Sequence, residues 1–179
     1  MEIRREIELI FKEAGGILTT KDIIGKGISH YYIKKMLEER VIESLKRGIY
    51  KLSDLDIEES VEVSSMISKG VFCMFTSASM HELTTNIPIK YHVAIPKKDK
   101  IRLPNYPPIK LYYWDKHQYS IGIEEIKKND NSILIYDREK TVCDFLKFKN
   151  KIGFSEAKEV LKTYLNQEER NIDKLVKYS

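Results

Sequence analysis

Residues 19–52 read TTKDIIGKGISHYYIKKMLEERVIESLKRGIYKL, and they are the strongest indication of fold in this chain. A short helix signal behind Thr19 is followed by a glycine turn and by a second helix signal behind Ser29. Two short β-prone segments come next and meet at the corner formed by Lys46, Arg47 and Gly48. Helix, turn, helix and a two-stranded hairpin in this order predict a winged helix-turn-helix.

Two amphipathic helices supply the core of this predicted domain. In residues 2–14 apolar side chains recur at helical spacing, namely at Ile3, Ile7, Ile10, Phe11 and Ala14. The following glycine pair ends that helix, because glycine readily takes the left-handed backbone of a C-terminal cap. Over residues 30–40, one face carries Ile33, Met36 and Leu37, and the other presents Tyr31, Lys34, Lys35 and Glu38. We therefore expect a domain of residues 1–53 with one small core.

A second domain is predicted beyond an acidic linker, residues 53–59 (SDLDIEE). Helical patterns cover 60–68, 77–83, 141–148, 155–165 and 171–178, with Ser155 as a cap. Strand patterns cover 91–95, 110–114, 120–126 and 132–136, residues 71–75 are β-prone, and 97–108 is a Lys- and Pro-rich loop. The predicted fold class is α+β, with a winged helix-turn-helix followed by a mixed α/β domain of residues 60–179.

Composition limits the possible partners and compartments. The chain has 179 residues, is 42% hydrophobic and carries a net charge of +4, most of it in the first third. This balance favours a local basic patch over a basic tail. No apolar run approaches the roughly 20 residues that span a bilayer, and the charged N-terminus does not resemble a signal peptide. Cys73 and Cys143 form no CxxC motif, so we expect reduced, buried thiols in a cytoplasmic protein without membrane contact.

Double-stranded DNA is the partner predicted for the first domain. A helix fits the major groove, where its N-terminal side chains reach base edges, while basic side chains neutralise phosphates. A helix start also favours a phosphate, and a basic wing corner can reach the backbone or the minor groove. The predicted DNA-binding residues are Thr19, Thr20, Lys21, Ser29, His30, Tyr31, Tyr32, Lys34, Lys35, Lys46 and Arg47.

Two other interpretations of the same residues stay open. Tyr32 lies at the edge of the apolar face and is a candidate for the core instead of a DNA contact. A winged helix can also dock another polypeptide, which would make the protein an adaptor.

No catalytic residues, metal site or cofactor are predicted. His81-Glu82 begins like a zinc-protease motif, but Thr85 stands where the second histidine belongs. Phosphate-binding glycine motifs are missing from the sequence. The main enzymatic alternative is a Mg²⁺-dependent nuclease with Asp115, Glu125 and Lys127, although such triplets are common in a chain that is 32% charged.

Residues 137–144 (DREKTVCD) have a structural interpretation. Asp137 is predicted to cap a helix, with Val142, Phe145 and Leu146 packed inward. Arg138 and Asp144 are candidates for a buried ion pair. The aromatic residues Tyr106, Tyr112, Tyr113, Trp114 and Tyr119 are predicted mostly to pack in the sheet, with an exposed subset available to a partner.

The sequence also resembles AbiEi-type antitoxins of bacterial abortive-infection, type IV toxin–antitoxin systems. In the first domain the resemblance is carried by the Gly-Thr opening, the Gly-Ile-Ser helix start and the RGIY segment at 47–50. In the second domain it is carried by SASMHEL at 77–83, YHVAIP at 91–96 and DREKTVCD at 137–144.

This resemblance implies a two-part function. The winged helix would bind inverted repeats in its own promoter and repress the operon. The second domain would counter a cognate toxin that is similar to nucleotidyltransferases.

Overall fold

The computed structural model describes residues 2–179 and shows a mixed α+β protein. Within these residues there are ten helices and two sheets, one of three strands and one of five. The chain divides into two compact units. Unit 1 runs as far as Ser68 and includes the segment Lys127–Ser132, and unit 2 comprises Lys69–Ile126 and Ile133–Ser179.

Unit 1 combines four helices with the three-stranded sheet. Its elements are α1 (Glu2–Glu13), β1 (Ile17–Thr19), α2 (Thr20–Gly25), α3 (His30–Glu38), β2 (Ile42–Lys46), β3 (Ile49–Leu52) and α4 (Glu59–Met66). Strand β3 is central and pairs antiparallel with both β1 and β2. The helices and strands predicted for residues 2–52 are therefore observed, and α4 begins at the last residue of the predicted linker.

The core of unit 1 follows from the two amphipathic helices. Ile7 and Phe11 lie one turn apart on α1, and both are buried. Ile33 and Met36 occupy the inner face of α3. They pack in one cluster with Leu18, Ile23, Ile28, Val41, Ile42 and Leu52. Burial of these apolar side chains is the main force that holds the short helices in place.

Unit 2 is built around the five-stranded sheet. Its first elements are β4 (Val71–Phe72), α5 (Met74–Met80), β5 (Tyr91–Pro96), β6 (Ile109–Trp114), α6 (Lys116–Ser120), β7 (Ile123–Lys128) and β8 (Asn131–Tyr136). The last two residues of β7 and the first two of β8 belong to unit 1. Four helices follow, namely α7 (Arg138–Lys147), α8 (Lys149–Ile152), α9 (Phe154–Asn166) and α10 (Ile172–Tyr178). The strand order is β6-β5-β4-β8-β7, in which β4 is antiparallel to β5 and parallel to β8.

Helix α7 occupies the centre of unit 2. It packs against α5, α9 and α10. Its Val142 and Phe145 are completely buried, as predicted, and lie in one cluster with Trp114, Tyr136 and Tyr164. Among the aromatic residues, Tyr106 and Tyr113 are exposed.

Several sequence predictions require correction. Helix α5 starts three residues before the predicted position, so β4 is only two residues long. Ser155 does not cap α9, which begins at Phe154 behind Gly153, a residue with φ +110°. Both cysteines are free, but only Cys73 is buried, whereas Cys143 is half-buried.

Among the described residues, no helix combines the length and apolar character that crossing a membrane requires.

Candidate nucleic-acid interface

Helix α3 presents one continuous polar and aromatic stripe. His30, Tyr31, Lys34, Lys35 and Glu38 are all exposed, at positions that follow one another around the outer face of the helix. Because Ile33 and Met36 anchor the opposite face in the core, the orientation of this stripe is fixed. The stripe therefore offers hydrogen-bonding, aromatic and basic groups on one rigid element.

The two tyrosines of α3 have different environments. Tyr31 is 68% exposed, whereas Tyr32 is half-buried and packs against the unit 1 core. Their rings meet edge to face with centroids 5.3 Å apart. Tyr32 thus supports the position of Tyr31. Its packing is the one expected if Tyr32 belongs to the edge of the core.

The start of α3 has an uncommitted hydroxyl group. Ser29 has extended backbone geometry at the N-cap position, but its side chain makes no capping hydrogen bond. Both Ser29 and His30 are exposed. Their polar groups are therefore open to an external partner.

The lysines of the stripe are not isolated positive charges. Lys34 lies 3.8 Å from Glu38, and Lys35 lies 3.9 Å from Glu39. Within each pair the two side chains are exposed and one helical turn apart. Each pair therefore contributes only about 0.3–0.5 kcal/mol to the free energy of unfolding. A phosphate could displace such a weak partner, but the stripe has mixed charge towards the end of α3.

The start of α2 is closed by a reciprocal capping box. Asp22 N–H donates to Thr19 Oγ1 at 3.2 Å, and Thr19 N–H donates to Asp22 Oδ2 at 3.0 Å. Hydrogen bonds from the Thr19 side chain and backbone lower the pKa of Asp22. The Asp22 carboxylate therefore already supplies the negative charge that a helix start favours. Lys21, next to it, is exposed.

The turn between β2 and β3 is tied to the start of α2. Thr20 N–H donates to Gly48 O at 2.8 Å. Gly48 has φ +82°, a backbone conformation that glycine adopts without strain. Lys46 donates from Nζ to Met66 O at 3.1 Å, which directs its ammonium group towards α4, while Arg47 is exposed.

The predicted DNA-binding residues thus fall into two groups. Exposed side chains are those of Lys21, Ser29, His30, Tyr31, Lys34, Lys35 and Arg47. Residues with a structural partner are Thr19, Thr20, Tyr32 and Lys46.

Unit 2 contains a buried charged network that the sequence predicted only in part. Asp137 caps α7, as predicted, by accepting from Lys140 N–H at 2.7 Å. It also forms an ion pair with Lys174 at 2.9 Å. Burial lowers the pKa of Lys174 and the hydrogen bond to Asp137 raises it, with a net upward shift. This pairing holds α10 against α7.

The predicted Arg138–Asp144 ion pair is wrong. Arg138 pairs with Glu169 at 2.9 Å, and Asp144 pairs with Lys140 inside the protein. Positions 140 and 144 share a helix face because they are four residues apart, whereas 138 and 144 do not. The i, i+4 spacing of Lys140 and Asp144 is the signal in the sequence that could have identified the correct partner.

The residues of the nuclease alternative have separate environments. Asp115 caps α6 by accepting from Gln118 N–H at 2.8 Å. Glu125 and Lys127 are exposed on β7. Within residues 2–179 no group of three or more His, Cys, Asp or Glu side chains is placed to hold a metal ion. His81 is buried, with Nε2 at 2.7 Å from Tyr136 O.

No protein-family model matches the chain, and no curated protein matches it.

Proposed function

We propose that unit 1 is a winged helix-turn-helix that binds double-stranded DNA, with α3 as the recognition helix. The observation that supports this most directly is the exposed stripe of α3. A helix whose apolar face is fixed in the core can enter the major groove with its outer face, and its first residues then meet base edges. His30 and Tyr31 occupy that position, followed by Lys34 and Lys35 for phosphates.

Arg47 provides a second contact outside α3. It stands at the turn between β2 and β3, where a wing contacts the DNA backbone or minor groove in this mode of binding. The capping box of Thr19 and the bond from Thr20 to Gly48 hold α2 and the turn in place. In this proposal Thr19 and Thr20 hold the DNA-contacting residues in position.

We extend the proposal to the role implied by the resemblance to AbiEi-type antitoxins. The protein represses its own operon by binding inverted repeats in the promoter, and it counters a nucleotidyltransferase-like toxin. The support is the set of segments at 47–50, 77–83, 91–96 and 137–144 that resemble this family.

Charge reversal in unit 1 tests DNA binding. Lys35→Glu combined with Arg47→Glu is expected to weaken binding to the DNA upstream of its gene by about 10- to 100-fold. Because two phosphate contacts are lost, the slope of log affinity against log salt should fall by roughly 2. Fluorescence anisotropy with labelled duplex over a series of salt concentrations measures both quantities.

The matched control is Lys158→Glu combined with Lys162→Glu. Both lysines are exposed on α9 in unit 2, so this variant has the same net charge and leaves unit 1 unchanged. Equal affinity and salt slope for the two double variants would contradict the proposal.

A protein-docking adaptor is the second candidate function. The mixed charge at the end of α3, with Glu38 and Glu39 beside the lysines, favours this alternative. An adaptor would show no salt-dependent binding to DNA. It would form a stable complex with another polypeptide, and Tyr31→Ala would disrupt that complex. Salt-dependent, sequence-specific DNA binding would exclude the adaptor as the main function.

A further inference from the structure

Strand β6 forms one edge of the five-stranded sheet of unit 2. It stands first in the strand order and is parallel to its neighbour β5. The register runs without a bulge from Ile109, opposite Tyr91, to Trp114, opposite Pro96. A regular strand at the edge of a sheet presents a row of backbone N–H and C=O groups to its surroundings, and such a row can pair with another chain.

The hydrogen bonds to β5 show which backbone groups of β6 point outward. At one end of the ladder Tyr91 N–H donates to Pro108 O at 2.9 Å, and at the other end Lys97 N–H donates to Trp114 O at 2.7 Å. In a parallel pair every second residue bonds to the neighbouring strand. The residues of β6 whose N–H and C=O groups point away from β5 are therefore Ile109, Leu111 and Tyr113. Among the described residues, no backbone group bonds to these outward groups.

The surroundings of β6 are strongly basic. Between positions 90 and 116 the sequence has seven Lys or Arg residues and two Asp residues. All seven basic side chains are exposed, and none of them forms an ion pair with a described carboxylate. They are Lys90, Lys97, Lys98, Lys100, Arg102, Lys110 and Lys116. This unneutralised charge suits an acidic partner.

The basic groups accompany β6 along its whole length. Lys90 directly precedes β5 at the end of the sheet where β6 begins. Lys110 belongs to β6 itself. Lys97 bonds through its backbone to Trp114, the last residue of β6, and Lys116 lies two residues further along the chain. An acidic segment that lies along β6 therefore meets positive charge at both ends and in the middle.

The two faces of β6 differ in character. Lys110 lies over the Tyr112 ring, with Nζ at 5.3 Å from the ring centroid, so these two side chains share one face. Because side chains alternate along a strand, Leu111 and Tyr113 are on the other face, where Tyr113 is 52% exposed. Side chains of a strand added beside β6 pair with these two rows. We therefore expect acidic residues on the Lys110 face and apolar residues on the Tyr113 face.

We propose that β6 docks an extended segment of a partner polypeptide in which acidic and apolar residues alternate. The segment adds to the sheet as a sixth strand, and its backbone N–H and C=O groups bond to the outward groups of β6. A nucleic acid has no peptide backbone to pair with this row. A second copy of β6 brings the same positive charge, so it matches the edge less well.

Fluorescence anisotropy with the full chain tests this proposal. The probe is a labelled, capped peptide of about ten residues in which Glu and Val alternate, long enough to cover a typical strand. The control peptide has Lys in place of Glu. We expect saturable binding of the acidic peptide and at least about tenfold weaker binding of the basic one, because its charge is repelled by the surroundings of β6.

Two N-methylated forms of the acidic peptide distinguish strand addition from simple charge attraction. One form is methylated on every Glu backbone nitrogen, and the other on every Val backbone nitrogen. Successive N–H groups of a strand point to opposite sides, so a segment docked in one direction turns only one of the two sets towards β6. One form should lose binding and the other should keep it. Equal affinities of the two forms would contradict strand addition.

Two substitutions at position 113 measure the contribution of the backbone. Tyr113→Pro removes an outward N–H and leaves the bonds to β5 in place, and an edge strand tolerates proline at such a position. It should weaken peptide binding by about tenfold, whereas Tyr113→Ala, which keeps the N–H, should weaken it by less than about threefold. Circular dichroism shows whether both variants are folded. The comparison of the two methylated peptides on the wild type remains decisive if Tyr113→Pro does not fold.

Lys110→Glu measures the contribution of charge. It should weaken binding of the acidic peptide by about tenfold. Lys158→Glu is the matched control, because Lys158 is exposed on α9 and lies outside the basic surroundings of β6. The variant with Lys35→Glu and Arg47→Glu should bind the peptide unchanged, which separates this test from the one for DNA binding by unit 1.

Several results would overturn the proposal. They are the absence of saturable binding, equal binding of the acidic and basic peptides, and unchanged affinity in Lys110→Glu. Tighter binding of labelled oligouridylate or oligothymidylate that Lys110→Glu weakens would assign the surface to a nucleic acid instead. A dimer in light scattering that Tyr113→Pro dissociates would assign the edge to a second copy of this chain.

Discussion

The Asp144 carboxyl group shows how burial changes the acidity of one residue. Its side chain is only 3% exposed. Burial raises its pKa to about 6, although Lys140 acts in the opposite direction. The folded state therefore binds the Asp144 proton more tightly than an unfolded chain, in which the pKa is near 3.8.

This shift predicts a pH dependence of stability. The contribution is fully present below pH 3.8 and is lost as the pH rises through 6. Relative to Asp144→Asn, which does not titrate, the wild type should gain up to about 3 kcal/mol of unfolding free energy between pH 7 and pH 4. Urea unfolding of both proteins at several pH values measures this difference.

Asp173→Asn is the control for that experiment. Asp173 is exposed in the first turn of α10, so its substitution should leave the pH profile of stability close to that of the wild type. A difference between wild type and Asp144→Asn that stays constant from pH 7 to pH 4 would contradict the assignment.

At the scale of single elements, two helix starts that look alike in sequence behave differently. Thr19 and Ser29 are both hydroxyl residues before a helix. Thr19 forms a capping box because Asp22 stands at the third helical position, whereas Ser29 makes no capping bond. The threonine is therefore structural, and the serine hydroxyl is available for another role.

Thr19→Ala is expected to lower the unfolding free energy by about 1 kcal/mol, because it removes the Oγ1 that accepts from the Asp22 N–H and donates to the Asp22 carboxylate. The hydrogen bond from the backbone N–H of residue 19 to that carboxylate remains. Ser29→Ala is the matched control and should change stability by less than about 0.5 kcal/mol. Urea unfolding followed by circular dichroism measures both. Equal losses for the two variants would show that the capping box does not stabilise α2.

Most elements were predictable because they depend on local patterns. Helix α1 follows from its apolar spacing, and the cap of α7 follows from Asp137. Helix α6 was missed, since its five residues carry no apolar period and depend on the Asp115 cap. Ser155 was a wrong cap because the turn at Gly153 starts α9 one residue earlier.

At the scale of the whole molecule, each unit has its own apolar core. One cluster contains Phe11 and Ile33, and the other contains Phe145 and Tyr164, and no described residue belongs to both. Separate cores allow the two proposed activities to be disrupted independently.

The proposed antitoxin role predicts such a separation. Lys35→Glu combined with Arg47→Glu should abolish repression of a reporter fused to the upstream DNA. The same variant should still restore growth of cells that express the cognate nucleotidyltransferase-like toxin, because unit 2 is unchanged. Repression assays and growth curves from the same strains measure both effects.

The control for this experiment is the wild type expressed at the same level. Growth rescue that is lost together with repression would contradict the division of roles. Failure of the wild type itself to rescue growth would reject the antitoxin role and leave DNA binding to be judged by its own assay.

The sequence by itself determined the α+β class, most helices and strands, and the residues that α3 exposes. These features depend on periodicity, glycine turns and capping residues, which act over a few positions in the chain. Only the tertiary structure decided that Lys46 turns to Met66, that the Lys140–Asp144 pair is buried, and that Lys174 pairs with Asp137. Those relations depend on the packing of elements that are distant in sequence, or on which helix face is buried. Burial then determines the charge state of a side chain and the hydrogen bonds that it needs.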